Sequence, residues 1–386
     1  MPRPPDAPPE THAALRRLFA GGPVPEAWFA PAFLSAFPAG GVEAIVARLL
    51  RDHGPAGEIT GDAAEPTVHL ARAEVPVTIR LDPAGRIAGI LFRSAVPRGG
   101  LEEQVLAIAA LPGRSALLVT TGEAVRAAHA PDAVLAVGSA FKLALLRAVR
   151  DAVRAGRIAW DTVLHLDPAL RSLPSGILQD WPDGAPVTVA TLANLAISLS
   201  DNTATDALIH LVGRDALEAL SPHDRPFPTT REFFALRDPG NAALLREWTA
   251  AGPEARLALL PRLAPLPLPK PPPDLIVDAD IGWFASAEDL LGHLRAVADL
   301  PAPCINPGPV ERGPWRRVAY KGGSLPGVLC LAALLTGQDG RQHGLVATWN
   351  DAEALEADRL IGPFRAIAAL LAAEDRATED GAAVDG

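Results

Sequence analysis

The chain has 386 residues, of which 49% are hydrophobic and 21% charged, and its formal net charge is −10 at pH 7. This length favours two or three domains with a sizeable core, and the acidic balance argues against nucleic acid as a partner. No apolar run is long enough for a transmembrane helix, the first twenty residues lack the apolar stretch of a secretory signal, and two cysteines make no disulfide framework. The composition therefore predicts a soluble, cytoplasmic protein that binds no membrane, no metal and no cofactor.

The first hundred residues predict a small α+β domain over residues 12–98. Residues 1–11 are polar and proline-rich, which is typical of a disordered tail. Apolar residues then recur at helical spacing, which predicts helices over His12–Ala20, Pro25–Ala36 and Val42–His53. The spacing next changes to alternation, which predicts antiparallel strands over Glu58–Thr60, Thr67–Ala73, Val75–Leu81 and Arg86–Phe92.

A second series of elements begins at Leu101 and predicts a mixed domain over residues 99–374, followed by a tail over 375–386. Periodicity and capping residues predict helices over Leu101–Ala110, Ser139–Ala155, Thr188–Leu199, Asn202–Leu211, Ser286–Leu300 and Asp351–Ala373. Apolar runs predict strands over Ser115–Thr121, Val328–Thr336 and Gly344–Trp349. The proline-rich residues 261–273 predict an extended surface loop.

The first chemical motif is Ser139-Ala140-Phe141-Lys142 at the start of a predicted helix. Residues three apart lie on one face of a helix, so the hydroxyl and the amine are expected to meet. The N-terminus of a helix also offers free N–H groups that can hold an oxyanion. An uncharged Lys142 would accept the serine proton and make Ser139 a nucleophile.

Two further motifs have a structural as well as a chemical interpretation. Ser200-Asp201-Asn202 lies between two predicted helices, and all three residue types are common helix caps. Lys321-Gly322-Gly323-Ser324 leads into a strand and is also compatible with a glycine turn, although paired glycines would let a substrate approach the backbone closely.

The order of the three motifs favours the chemical interpretation. Two of the three lysines in the chain lie in the motifs, and the only tyrosine, Tyr320, adjoins the third. In the order and the residue types of these three motifs, the chain resembles the serine β-lactamase and penicillin-binding protein superfamily over about residues 110–373. The resemblance implies an antiparallel sheet flanked by helices, with a separate all-helical lobe.

The resemblance also implies roles for the motif residues in acyl transfer through a covalent intermediate. Ser139 would be the nucleophile and Lys142 the general base, while Ser200 would relay a proton to the leaving group and Lys321 would act electrostatically. Asn202 would bind the substrate and help to fix Lys142. Next to Gly323, the backbone N–H of Ser324 would complete an oxyanion hole with that of Ser139.

Two departures from the family pattern bear on the substrate. The Glu-x-x-Leu-Asn motif of class A β-lactamases is absent, so the base that activates the deacylating water is unassigned, with Glu232 as a possible candidate and an ion pair as its structural alternative. Gly322 replaces the usual threonine or serine after the third-motif lysine. We therefore expect carboxylate recognition to be weaker or to move to Ser324.

The N-terminal region resembles the steroid-isomerase-like (cystatin-like) domain of two-domain β-lactamase-like proteins, some of which are cephalosporin esterases, and the stretch Pro228–Leu236 also resembles that group. The sequence thus predicts a serine hydrolase, monomeric or homodimeric, for a small-molecule β-lactam or ester. The alternatives are a non-catalytic or slowly acylated binding protein of the same fold and a D-Ala peptidase. No Gly-x-Ser-x-Gly, zinc or nucleotide-binding motif supports another enzyme class.

Overall fold

The computed structural model of the chain describes residues 10–93, 95–268 and 281–384, which divide into two compact units. The first unit contains residues up to Gln104 together with Ile361–Ile367, and the second contains Val105–Leu360 and the residues from Ala368 onward. Most of the predicted tail over 1–11, and residues 269–273 of the predicted loop, lie outside the described residues.

The first unit places three helices before an antiparallel sheet, in the order that the sequence predicts. The helices are α1 (Glu10–Phe19), α2 (Pro31–Ala36) and α3 (Ala39–His53), and the strands are β1 (Ala56–Gly61), β2 (Pro66–Leu70), β3 (Ala73–Leu81), β4 (Ile87–Phe92) and β5 (Val96–Pro97). The strands pair in the order β1-β2-β3-β4, with β5 beside β3. Alternate residues of β3 are buried because one face of the sheet packs into a core that includes Leu15 and Leu18. The steroid-isomerase-like assignment of this unit stays a prediction.

The chain continues with the remaining helices and strands, most of which belong to the second unit, while α4 and α14 have residues in both units. The helices are α4 (Leu101–Ala109), α5 (Lys142–Arg154), α6 (Val189–Ser198), α7 (Asn202–Val212), α8 (Arg214–Glu218), α9 (Thr230–Arg237), α10 (Ala242–Ala250), α11 (Pro253–Leu263), α12 (Ala287–Val297), α13 (Ala302–Ile305) and α14 (Asp358–Val384). The strands are β6 (Arg114–Thr121), β7 (Ala124–His129), β8 (Leu135–Ala136), β9 (Val163–His165), β10 (Pro186–Thr188), β11 (Phe284–Ala285), β12 (Arg317–Leu325), β13 (Val328–Thr336) and β14 (Gln342–Asn350).

An antiparallel sheet and a helical lobe make up the second unit. The sheet has the strand order β12-β13-β14-β6-β7, and its strand β13 is buried on both faces over Val328–Leu335. Helix α12 packs on β13 and β14, while α5 packs against α6, α7 and α12. The apolar face of α5 and the inner faces of α6 and α7 share one core. This arrangement positions the start of α5 between the sheet and the helical lobe.

The last helix corrects a prediction, because it begins at Asp358 and not at Asp351. The reason is a tertiary contact: the Asp351 N–H donates to the Gly327 carbonyl at 2.9 Å, which ties the first residue of the connection to the turn between β12 and β13. At its other end α14 runs to Val384, through most of the segment 375–386 that the sequence predicts as a tail. Across the described ranges, no helix combines the length and apolarity needed to cross a bilayer.

Candidate active site

Ser139 lies in a short 3-10 helix, Gly138–Phe141, that leads directly into α5. Its neighbours Gly138, Ala140 and Phe141 are buried, whereas Ser139 itself is partly exposed. Gly138 has a φ of +49°, and a Cβ there would lie 2.9 Å from the backbone nitrogen of Ser324. The sequence therefore needs glycine at this turn, both for its backbone conformation and for the close approach of β12.

Gly323, on strand β12, allows the same close approach between the strand and the turn that carries Ser139. A Cβ on Gly323 would lie 2.7 Å from the Ser139 nitrogen and would collide with the Val137 carbonyl. Strand β12 can therefore run directly against the turn that carries the nucleophile, which brings the backbone nitrogens of Ser139 and Ser324 to one place. The first N–H groups of a helix have no partner within it, so the Ser139 N–H is suited to receive an oxyanion.

Lys142 is completely buried below Ser139, and its Nζ makes three hydrogen bonds. It donates to the Ser200 carbonyl at 2.6 Å and to Asn202 Oδ1 at 2.7 Å, and it lies 3.1 Å from Ser200 Oγ. These bonds join the first motif to the second, whereas the sequence led us to expect a contact with Ser139. Burial, and then the nearby Lys321 ammonium, hold the pKa of Lys142 well below its ordinary value of 10.5, against the opposing charges of Asp206 and Asp201.

Ser200 lies between two lysines. Its Oγ is 3.1 Å from Lys142 Nζ and 3.2 Å from Lys321 Nζ. The backbone of Ser200 has a φ of +56°, a left-handed conformation that is costly for a residue other than glycine and that often marks a functional site. Burial lowers the pKa of Lys321 from 10.5 to about 7, so its charge changes near neutral pH.

The other two residues of the second motif hold this arrangement in place. Asp201 caps α7 by accepting from the Ala204 N–H at 2.8 Å, and its second oxygen accepts from the N–H groups of Ile177 and Leu178. Asn202 donates to the Leu173 carbonyl at 3.0 Å, which fixes the amide that accepts from Lys142. The capping interpretation of the motif thus describes Asp201, while the side chains of Ser200 and Asn202 face the lysine.

Glu232 is engaged in a structural cluster. Its carboxylate forms a capping box with Thr229 at the start of α9 and an ion pair with Arg214, with a shortest distance of 2.9 Å. It does not belong to the residues that line the cavity beside Ser139. The geometry favours the ion pair that the sequence leaves open as the alternative role for this residue.

Asp206 is a residue of the site that the sequence reasoning missed. It is buried, and its two carboxylate oxygens accept from the N–H groups of Thr230 at 2.7 Å and Arg231 at 2.8 Å, so it anchors the start of α9. Burial raises its pKa from 3.8 to about 7, although both backbone hydrogen bonds lower it. A signal existed, since Asp206 lies four residues after Asn202 and therefore on the same face of α7.

A cavity of about 590 Å³ opens beside Ser139. One wall is aromatic, because Trp283 stacks on Phe141 at 4.0 Å and packs against Phe233 at 4.8 Å. Residues 324–329, 352–355 and 357 also line the cavity. Gly322 is not among the residues that line the cavity, and a Cβ on it would collide with the hydroxyl oxygen of Tyr320. The described residues contain no group of three or more acidic, histidine or cysteine side chains placed to hold a metal ion.

Comparison with known proteins shows which family and which solved structures this chain is similar to. Residues 101–221 match the model of the β-lactamase enzyme family. The β-lactamase from Sphaerobacter thermophilus DSM 20745 is 25% identical with a TM-score of 0.50, over 71% of this chain and 96% of that one. A β-lactamase from Chitinophaga pinensis DSM 2588 is 20% identical with a TM-score of 0.46, over 72% of this chain and 99% of that one. A representative of class A β-lactamase from Bacteroides cellulosilyticus DSM 14838 is 15% identical with a TM-score of 0.48, over 71% of this chain and 96% of that one. No curated protein sequence matches the chain.

The matched segment contains the first two motifs and the helices that carry them. The resemblance to the serine β-lactamase and penicillin-binding protein superfamily, and the fold class predicted with it, are thereby confirmed.

Proposed function

We propose that the chain is a serine hydrolase that works through a covalent acyl-enzyme on Ser139. The observation that carries the proposal is the position of Ser200 Oγ between the amines of Lys142 and Lys321, next to a nucleophile at the edge of an open cavity. Two buried lysines with lowered pKa values are costly to a fold, and such pairs are typical of catalytic sites.

In the acylation step, Ser139 Oγ attacks the substrate carbonyl and its proton passes to Lys142 Nζ. The hydroxyl must turn toward the amine for this transfer, as catalytic hydrogen bonds often tighten only when substrate binds. The carbonyl oxygen becomes an oxyanion between the N–H groups of Ser139 and Ser324. A single donor of this kind typically contributes about a hundredfold or more in rate.

Collapse of the tetrahedral intermediate breaks the bond to the leaving group. The proton on Lys142 passes to Ser200 Oγ at 3.1 Å, and Ser200 gives its own proton to the leaving oxygen or nitrogen. Lys321 supplies positive charge beside this relay at 3.2 Å. Asn202 keeps Lys142 in position throughout the step. Because Asn202 also lines the cavity, its side chain binds the substrate.

Water then hydrolyses the acyl-enzyme. Glu232 is committed to Arg214 and Thr229, which argues against its serving as the base for this step. We therefore expect deacylation to be slower than acylation. Esters and β-lactam-type amides are the substrates that such a site would acylate, and cephalosporin esters combine both groups.

The same observation favours a second candidate, a slowly acylated binding protein. In that case the acyl-enzyme would form once and persist, because Glu232, the candidate base, is held by Arg214 and Thr229. A D-Ala peptidase is a further alternative, for which the cavity offers no specific feature.

The test follows the mass of the intact protein during incubation with a cephalosporin that carries an acetyl ester. Wild type is expected to gain the acyl mass, and Ser139→Ala is expected to gain none. Ser324→Ala is the matched control, since it removes a hydroxyl from the same cavity but keeps the backbone donor. Lys142→Arg is expected to abolish acylation because arginine cannot act as a base. Equal labelling of wild type and Ser139→Ala would overturn the proposal.

Product analysis separates the two candidates. Release of acetate without ring opening identifies an esterase, and ring opening identifies a β-lactamase. One equivalent of acyl group that stays on the protein for hours identifies the slowly acylated binder.

A further inference from the structure

The segment 173–178 runs along the second motif and contacts each of its three residues. Its backbone makes the contacts with Asp201 and Asn202: the Asp201 carboxylate accepts from two N–H groups of the segment, and the Asn202 N–H donates to the Ser175 carbonyl at 3.0 Å. The contact with Ser200 comes from a side chain, because Ser175 Oγ donates to the Ser200 carbonyl at 2.7 Å. Ser175 thus binds the motif twice, once with its carbonyl and once with its hydroxyl.

The Ser200 carbonyl is shared between Ser175 and Lys142. It accepts from Lys142 Nζ at 2.6 Å and from Ser175 Oγ at 2.7 Å, so both acceptor positions of this oxygen are occupied. Ser200 needs such support because its φ of +56° is costly for a residue other than glycine and persists only where the surroundings hold it. The two hydrogen bonds fix the direction of this peptide group and, with it, the position of Ser200 Oγ between the two lysine amines.

The two donors to the Ser200 carbonyl differ in what the reaction does to them. In the proposed acylation, Lys142 takes up a proton from Ser139 and gives it to Ser200, so its bond to the carbonyl is strongest only while the amine is charged. The Ser175 hydroxyl takes part in no proton transfer, so its bond is the same before and after each step. Ser175 is therefore the donor that holds the Ser200 backbone while the charge on Lys142 changes.

We propose that the Ser175 hydroxyl is a positioning group for the proton relay, which holds Ser200 in the conformation that lets its Oγ pass a proton to the leaving group. The inference rests on the proposed function, since it assigns a residue to the leaving-group step of that mechanism. A leaving group that departs as a stable anion does not need this proton, whereas an alkoxide or an amide nitrogen does. The loss of the Ser175 hydroxyl should therefore slow a substrate more, the more basic its leaving group is.

The test compares two uncharged esters with the same acyl group, p-nitrophenyl butyrate and ethyl butyrate. The value of kcat/KM reports acylation, and it is measured by nitrophenol release for the first ester and by titration of the released acid for the second. Ser175→Ala is expected to lower kcat/KM about tenfold for the ethyl ester and by no more than about twofold for the p-nitrophenyl ester. Ser175→Thr keeps the hydroxyl and should restore the rate for the ethyl ester. Ser175 is exposed at the cavity wall, so these substitutions leave no gap in the core.

Ser198→Ala is the matched control, because it removes a serine hydroxyl two residues before Ser200 that binds the Asn194 carbonyl of its own helix at 2.6 Å. It should leave both rates unchanged. An equal fall for both esters in Ser175→Ala would overturn the inference, since Ser175 would then support the whole site and not the leaving-group step. Unchanged rates for both esters would overturn it as well.

Hydrogen exchange separates this inference from the proposed function. The Asn202 N–H is bound to the Ser175 carbonyl, so it exchanges when the segment and the motif come apart. Ser175→Ala should speed this exchange about fivefold, the ratio that one hydrogen bond typically supplies, without changing the exchange of α5 amides. Unchanged exchange at Asn202 overturns the positioning role, even if wild type hydrolyses neither ester. Equal hydrolysis of p-nitrophenyl butyrate by wild type and Ser139→Ala overturns the proposed function instead.

Discussion

The pH dependence of acylation follows from the two lysines around Ser200. Burial lowers the pKa of Lys321 to about 7, and the pKa of Lys142 is held well below 10.5 by burial and by Lys321. The mechanism needs Lys142 uncharged, so that it can take the serine proton, and Lys321 charged, so that it can stabilise the relay. The rate of acylation is therefore expected to fall as the pH rises above about 7.

The magnitude follows from the protonated fraction of Lys321. With a pKa of about 7, this fraction falls about tenfold for each pH unit well above 7, so acylation should be about tenfold slower at pH 9 than at pH 8. Lys321→Arg is expected to remove this alkaline limb, because arginine stays protonated over the whole range. Its rate at the optimum should be lower than that of wild type, since a guanidinium does not fit the same hydrogen bonds.

The assay is a single-turnover measurement of acylation between pH 5.5 and 9.5, with an uncharged ester that does not ionise in this range. Circular dichroism at each pH controls for unfolding. A wild-type rate that stays level or rises from pH 7 to pH 9 would refute the reasoning. So would an alkaline limb that survives in Lys321→Arg, because the titrating group would then be a different one.

Three substitutions test the framework around the site. Gly323→Ala forces a Cβ to within 2.7 Å of the Ser139 nitrogen, so acylation measured by intact mass should fall about a hundredfold or more; a rate near that of wild type would show that the close approach is not needed. Asp206→Ala leaves one buried and one part-buried N–H group of α9 unpaired and should lower the free energy of unfolding in urea by about 2–5 kcal/mol, whereas a loss below about 1 kcal/mol would contradict the anchoring role. Glu232→Gln breaks the ion pair with Arg214 and should cost about 1 kcal/mol in the same assay without slowing deacylation; a hundredfold slower deacylation would identify Glu232 as the base after all.

The sheet of the second unit could be predicted where its strands are continuous apolar runs. Strand β13 has the predicted bounds, Val328–Thr336, because every residue as far as Leu335 is buried. Strand β7 gave no such signal, since its residues are mostly exposed and rich in alanine. The connection after Asn350 has helical composition, yet it is not helical, because its contact with Gly327 lies beyond any local pattern.

The candidate site, too, could be predicted from local sequence patterns only in part. The three motifs identify residues that the fold brings together, since Lys142, Ser200, Asn202 and Lys321 share hydrogen bonds. Helical spacing suggested that Lys142 would contact Ser139, but the amine turns toward the second motif. The cause is tertiary, because the Ser200 carbonyl before α7 and the Asn202 amide oxygen at its start offer a buried amine better acceptors than one hydroxyl does.

The two buried lysines also predict that the site lowers the stability of the fold. The unfolded chain binds a proton on Lys321 up to pH 10.5, while the folded chain binds it only up to about 7, so this residue makes the free energy of unfolding rise with pH between 7 and 10.5. Below pH 7 the charged, buried lysine destabilises the fold, and replacing such a group by an apolar side chain of similar length often stabilises a protein by about 1–4 kcal/mol. Lys321→Met should therefore raise the melting temperature at pH 6, with a smaller gain at pH 9, while it abolishes acylation. A melting temperature that falls at pH 6 would show that the hydrogen bond to Ser200 outweighs the cost of the charge, and that the lysine is retained for structure as much as for chemistry.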